Sequence, residues 1–164
     1  RFGSAQWGLA AVLCLIHDTI IVGGLVAASG WLHEHLGFLG IQSFKIDLAM
    51  VAAILTVIGY SVNDTIVVFD RIRENRGKLT TVTGQVINMS INQTLSRTLL
   101  TSFTTLLVVV IMYVWGGDGI RPFSFALLVG ILFGTYSSIA VAGPLLMGFK
   151  KALVHKVVGV EATE

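Results

Sequence analysis

Two side chains in this sequence could form a proton switch, because both ionise and both stand in apolar stretches. Asp64 lies in a stretch that ends near Asp70, and Arg97 lies in the next apolar stretch. A charged side chain at the centre of a membrane-spanning helix costs about 2.5–3.5 kcal/mol or more, so each is a candidate functional group. Burial favours a neutral carboxyl group, whereas a nearby guanidinium favours the carboxylate. We therefore predict that Asp64 binds and releases a proton and that Arg97 tunes it.

The spacing of neighbouring residues supports this pairing. In a helix of 1.5 Å rise per residue, Asp64 would lie about 9 Å inside Asp70, and an antiparallel following helix would bring Arg97 to a similar depth. Three- and four-residue spacing predicts one polar face on the helix that carries Arg97, the third predicted span. Its residues are Thr94, Arg97, Thr98, Thr101 and Thr105. We expect Tyr60, Asn63 and Thr98 to orient the pair. In the alternative interpretation, Arg97 reaches toward the headgroups and Asp64 only fixes helix packing.

His17 and Asp18 form a second polar pair, near the middle of the first apolar stretch. Adjacent residues point to different faces of a helix, and either one could join a proton path. Hydrogen bonding to a neighbouring helix for packing is an equally open interpretation. Hydrolysis with a His-Asp unit needs a nucleophile, which the spacing of Ser and Thr does not identify. We therefore predict no catalytic residue and no enzyme activity.

The elements that must position these residues are predicted to be transmembrane helices. The chain has 164 residues, of which 54% are hydrophobic and 12% charged, whereas soluble domains carry about 25% charge. Runs long enough to cross a bilayer, about 20 residues each, lie at about 7–29, 46–69, 94–115 and 122–147. Apolar and polar residues do not alternate strictly in these runs, which excludes a transmembrane β-barrel. We predict an all-α integral membrane bundle of four transmembrane helices in residues 1–150, followed by a tail at 151–164.

The distribution of positive charge predicts the orientation of the bundle. Basic residues cluster at both ends of the chain and after the second span, and these regions are expected in the cytoplasm by the positive-inside rule. The cytoplasmic set is Arg1, Arg71, Arg73, Arg76, Lys78, Lys150, Lys151 and Lys156, against Lys45 and Arg121 outside. The segment Leu79 to Ile91 is either an interfacial helix or a lead-in to the third span.

Other features indicate packing rather than chemistry. Gly130, Gly134, Ser138 and Ala142 recur every four residues, which allows helix backbones to approach closely. Cys14 is the single cysteine, so no disulfide or metal cluster is expected from it. We also expect no cofactor and no nucleic-acid partner, since the basic residues form no patch.

Three segments resemble the SecF family of the bacterial protein-export machinery. Residues 59–75 read GYSVNDTIVVFDRIREN, residues 92–98 read NQTLSRT, and His17-Asp18 follows Trp7 in the first apolar stretch. The paired subunit SecD has a related string in which the carboxylate precedes Ala-Asn, whereas Asn63-Asp64 follows the SecF order. The resemblance covers residues 1 to about 150, so the chain is expected to be the C-terminal membrane portion of a larger six-span subunit.

The resemblance implies a proton-driven auxiliary subunit of the resistance-nodulation-division superfamily, in the bacterial cytoplasmic (inner) membrane. Its partners would be SecD, the Sec translocon channel, the exported preprotein and the lipid bilayer. In this family the residues that match Asp64 and Arg97 are linked to proton use. The alternative is a scaffold subunit without proton coupling of its own. The four-residue repeat of Gly130, Gly134, Ser138 and Ala142, which we call the small-residue ladder, favours this alternative.

Overall fold

Four long α-helices form the part of the chain that a computed structural model describes. The described residues are 2–37, 44, 46–77 and 82–147, with the side chains of 2–6 and 36 left out. The helices are α1 (Phe2–Leu36), α2 (Leu48–Arg76), α3 (Gly84–Trp115) and α4 (Arg121–Ala140). All four are long and apolar enough to cross a membrane, and the described ranges contain no strand. The predicted all-α membrane bundle is confirmed.

The helix boundaries follow from capping groups. Asp47 precedes α2 and its Oδ1 accepts a hydrogen bond of 2.8 Å from the backbone N–H of Met50. Thr83 precedes α3, and its Oγ1 accepts a hydrogen bond of 3.4 Å from the backbone N–H of Val86. Such caps satisfy backbone N–H groups that the first turn leaves without partners, and each stabilises a helix by about 1 kcal/mol. Between α3 and α4 the chain turns at Gly117, whose φ of 75° favours glycine.

Helix α3 begins earlier than the sequence pattern predicted. It starts at Gly84 rather than near residue 94 and continues without a break to Trp115. Residues 84–91 are therefore the first two turns of α3 and not a separate interfacial helix. Residues 78–81 and the predicted tail at 151–164 lie outside the described residues.

Helix α4 is the centre of the bundle. It packs against α1, α2 and α3, and 61% of its span is buried, compared with 17% to 33% for the other three spans. Its glycines make this possible, because a Cβ at Gly130 would overlap the side chain of Val57 on α2. A Cβ at Gly134 would lie 3.3 Å from Cβ of Ser61, also on α2. The small-residue ladder thus faces a helix of this same chain.

The outer faces of the bundle are apolar. Ile20 on α1 is 66% exposed, and Leu100 and Phe103 on α3 are 65% and 60% exposed. A soluble protein of this size rarely exposes so much continuous apolar surface. These faces are matched to acyl chains, which have the same polarity as the side chains that meet them.

Candidate functional site

A layer of polar side chains separates two apolar clusters inside the bundle. One cluster contains Val22, Val57 and Ile131, and the other contains Cys14 and Val68. Between them every helix buries polar residues. We call this set the polar layer; its members are Asp18, Ser61, Asp64, Thr65, Thr94, Thr98, Ser102, Thr135, Ser137 and Ser138. Polar groups at this depth are costly in a membrane protein unless they have a function or a partner.

Asp64 is the buried carboxyl of α2. Its side chain lies in the polar layer, the residue is 4% exposed, and its Oδ2 has no hydrogen-bond partner among the described residues. One hydroxyl oxygen of the same layer, in Thr65, also has none. A carboxylate in such a position costs far more than a neutral carboxyl group, since burial disfavours the charged form and Oδ2 has no donor to stabilise it.

Arg97 lies near Asp64 but is not joined to it. Its charge is close enough to act on Asp64, while no nitrogen of Arg97 comes within 4.0 Å of the carboxylate in the described part of the chain. Arg97 is exposed at the edge of the layer. The predicted ion pair is therefore open in this structure, and its role in proton binding stays a prediction.

The inward face of α3 differs from the predicted polar stripe. Thr94 and Thr98 are buried as expected, but Arg97 and Thr101 are exposed. The buried stripe instead continues from Thr98 to Ser102, four residues further on. Consecutive residues are about 100° apart on a helix, so the face that buries Thr98 turns Arg97 toward the edge. The four-residue spacing of Thr94, Thr98 and Ser102 was the signal that could have found this face.

Tyr60 and Asn63 are placed differently from each other. The hydroxyl group of Tyr60 donates to Ser102 at 3.1 Å, and Ser102 lies 2.7 Å from the hydroxyl of Thr135 on α4. Asn63 is exposed. The structure thus links Tyr60 to a hydroxyl chain across α2, α3 and α4, and it brings neither residue into a hydrogen bond with Asp64.

His17 and Asp18 meet a partner that the sequence pattern did not reveal. Asp18 is 1% exposed, its Oδ1 lies 3.0 Å from Nδ1 of His17, and its Oδ2 accepts a hydrogen bond from the hydroxyl of Ser61 on α2. In a hydrolytic triad the imidazole lies between the nucleophile and the carboxylate. Here the carboxylate of Asp18 lies between Ser61 and His17, so the serine is not activated by a histidine.

A second polar contact joins the end of α2 to the start of α3. Gln93 Oε1 accepts hydrogen bonds from Arg71 Nε at 2.7 Å and from Asn75 Nδ2 at 2.8 Å. Asn75 Nδ2 also lies 2.8 Å from the hydroxyl of Ser90. Asn75 and Gln93 belong to two of the motif strings, which sequence reasoning had left without a structural role. We call this group the α2–α3 clasp.

Four apolar helices around a polar layer with two buried carboxyl groups define a polytopic membrane protein that holds ionisable groups away from water. A family model described as protein export membrane protein SecD/SecF, C-terminal, matches residues 1–152. The chain belongs to this family, and the resemblance inferred from the motifs is confirmed.

Curated relatives and a solved structure agree with this assignment. Protein translocase subunit SecF of Rhodothermus marinus is 52% identical over 143 residues, which cover 87% of this chain and 44% of that protein. The SecF subunit of Haemophilus influenzae is 50% identical over 140 residues, covering 84% of this chain and 39% of that protein. A crystal structure of SecDF in the super-membrane-facing form superposes with a TM-score of 0.78 at 39% identity and covers 94% of this chain and 19% of that chain. The chain spans less than half the length of these relatives.

Proposed function

We propose that this chain is the membrane part of an auxiliary subunit of the Sec protein translocase, which uses the proton motive force to promote export of preproteins. It would act in the bacterial cytoplasmic membrane together with SecD and the Sec channel. Its relatives are translocase subunits named SecF, and its solved neighbour is SecDF. The basic residues Arg71, Arg73 and Arg76 end α2 on the side proposed to be cytoplasmic, opposite Arg121 at the start of α4.

The observation that carries proton coupling is the state of Asp64. A carboxyl group that is 4% exposed, with an oxygen that has no hydrogen-bond partner among the described residues, is poorly suited to hold a permanent charge. If the guanidinium of Arg97 only fixed helix packing, we would expect it to be bonded to the Asp64 carboxylate. Arg97 instead lies exposed at the edge of the polar layer.

The proposed mechanism uses two arrangements of α2 and α3. With Arg97 away, Asp64 holds a proton and is neutral. When Arg97 moves to within hydrogen-bond distance, the carboxylate is stabilised and the proton leaves. Because protonation and helix position then depend on each other, protons that cross the membrane can drive motion of the helices. Thr98, buried on the same face of α3, would be displaced with Arg97.

The test uses the complete subunit with its partners. Asp64→Asn and Arg97→Ala are expected to abolish the proton-dependent stage of preprotein export in membrane vesicles. Both variants should still co-purify with SecD, and the ATP-driven start of export should be unchanged. Asp70→Asn serves as the matched control, since Asp70 is an exposed carboxyl on the same helix. Normal proton-dependent export by Asp64→Asn would remove the proposal.

A further inference from the structure

The hydrogen-bonded chain His17–Asp18–Ser61 has no part in the mechanism above, although it leads into the same polar layer. Asp18 is buried, and each of its oxygens has a partner, Ser61 on one side and His17 on the other. The side chain of His17 is 40% exposed, whereas that of Asp18 is 2% exposed. The chain therefore runs from the surface of α1 to the interior of the bundle.

Ser61 lies one helical turn before Asp64 on α2. The two residues are three positions apart on α2 and both are buried, so they share one face of the helix and their side chains are neighbours. Helix rise separates them by about 4.5 Å. Ser61 uses its hydrogen to donate to Asp18, which leaves its oxygen lone pairs free to accept, and Asp64 Oδ2 has no hydrogen-bond partner in the described part of the chain.

We propose that Asp18 is a second proton-binding residue, which receives through Ser61 the proton that Asp64 releases. This inference rests on the proposed function of Asp64. The hydrogen bond from Ser61 to Asp18 sets the direction, because a hydroxyl passes on the proton that it is already donating.

Each transfer balances. The carboxyl proton of Asp64 moves to the oxygen of Ser61 while the hydroxyl proton of Ser61 moves to Oδ2 of Asp18. Ser61 is unchanged, Asp18 becomes a neutral acid, and Asp64 becomes the carboxylate that Arg97 stabilises. Oδ1 of Asp18 still accepts the hydrogen bond from the N–H at Nδ1 of neutral His17, so the proton stays on Oδ2 of Asp18.

The groups that face Asp18 leave this order of events intact. On α1 the neighbours that titrate are His17 and Cys14, whose thiol is near enough to respond to the charge of Asp18. Helix α2 contributes Asp64, three positions from Ser61, and Arg97 of α3 lies near Asp64. The side chains that the described part of α4 contributes to the layer are hydroxyls of serine and threonine. Asp18 is thus the acceptor best placed to take a proton from Ser61.

Asp18→Asn separates a proton role from a packing role. The amide oxygen that replaces the carboxylate still accepts the hydrogen bond from Ser61, so helix packing is kept, but an amide cannot carry the proton. In the complete subunit with its partners, we expect Asp18→Asn and Ser61→Ala each to lower proton-gradient-dependent export about tenfold or more, within the range of a lost proton-transfer group. The double variant should be no worse than Asp18→Asn, since the two residues act in one series.

The controls distinguish failure of this inference from failure of the proposed function. Ser124→Ala removes another fully buried hydroxyl, one without a hydrogen-bond partner, and should export normally. If Asp64→Asn is inactive while Asp18→Asn or Ser61→Ala exports normally, the relay is overturned and the Asp64 switch stands. If Asp64→Asn is active, the proposed function itself is overturned. Where Asp18→Asn fails to assemble, Ser61→Ala decides, because it removes a single hydroxyl group.

Discussion

Tyr60 on α2 donates a hydrogen bond of 3.1 Å to Ser102 on α3, and through Ser102 it reaches Thr135 on α4. Three helices are therefore joined at the depth of the polar layer by hydroxyl groups alone. Thr135 completes the chain by donating to the backbone carbonyl of Ile131 at 2.7 Å. Such a chain fixes the rotation of each helix about its own axis, and so it determines which side chains of α3 face inward.

Replacement of Tyr60 by Phe tests whether this residue packs helices or orients the proton site. The change removes one hydrogen bond, and it is expected to lower the free energy of unfolding by about 1 kcal/mol or less. Ser102 keeps Thr135 as its partner, so proton-dependent export should stay close to normal. Thermal unfolding of the purified subunit and vesicle export measure the two effects. Loss of export without loss of stability would instead assign Tyr60 to the Asp64 site.

Gly130→Ala is expected to destabilise the bundle. The added methyl group would overlap the side chain of Val57, and overpacking of this kind costs about 1–3 kcal/mol. The matched control is Gly59→Ala on α2, where no atom lies within 4 Å of the new Cβ. That variant should be neutral or slightly more stable, because alanine favours the helix. Equal melting temperatures for the two variants would show that α4 does not depend on close approach at Gly130.

The sequence predicted the architecture well, because the membrane leaves few options. Runs of about 20 apolar residues must form helices when no water is present to satisfy the backbone. The depth of Asp18 and Asp64 also followed from their positions along those runs, and both are buried.

The rotation of the helices could not be predicted in the same way. Arg97 and Thr98 are adjacent in sequence, yet Thr98 is 2% exposed and Arg97 lies at the edge of the polar layer. Lipid and protein interior are both apolar, so hydrophobic periodicity does not distinguish the inward face of a membrane helix from its outward face. For the same reason the contact between Asp18 and Ser61, on different helices, left no pattern in the sequence.

The α2–α3 clasp is expected to couple Asn75 and Gln93 energetically. Asn75→Ala and Gln93→Ala should each lower the free energy of unfolding by about 1 kcal/mol. Because the two side chains share a hydrogen bond of 2.8 Å, the double variant should lose less than the sum of the single variants. Asn92→Ala, an exposed neighbour of Gln93, provides the control and should be close to neutral. Additive losses in a double-mutant cycle would contradict the contact.

The proposed orientation can be tested with single cysteines at Glu74 and Asp118. Both side chains are exposed, at 65% and 80%, and they lie at opposite ends of the bundle. The ion pairs that they form with Arg71 and Arg121 are on the surface, so their loss should cost less than about 1 kcal/mol of folding free energy.

A membrane-impermeant thiol reagent should label Glu74→Cys from the cytoplasmic side and Asp118→Cys from the outside. Cys14 is the single cysteine of this chain and is fully buried. The unaltered subunit is the control for labelling at any other position. Labelling of both positions from the same side would mean that α3 does not span the membrane as proposed. The reverse pattern would place Arg71, Arg73 and Arg76 outside, against the positive-inside rule.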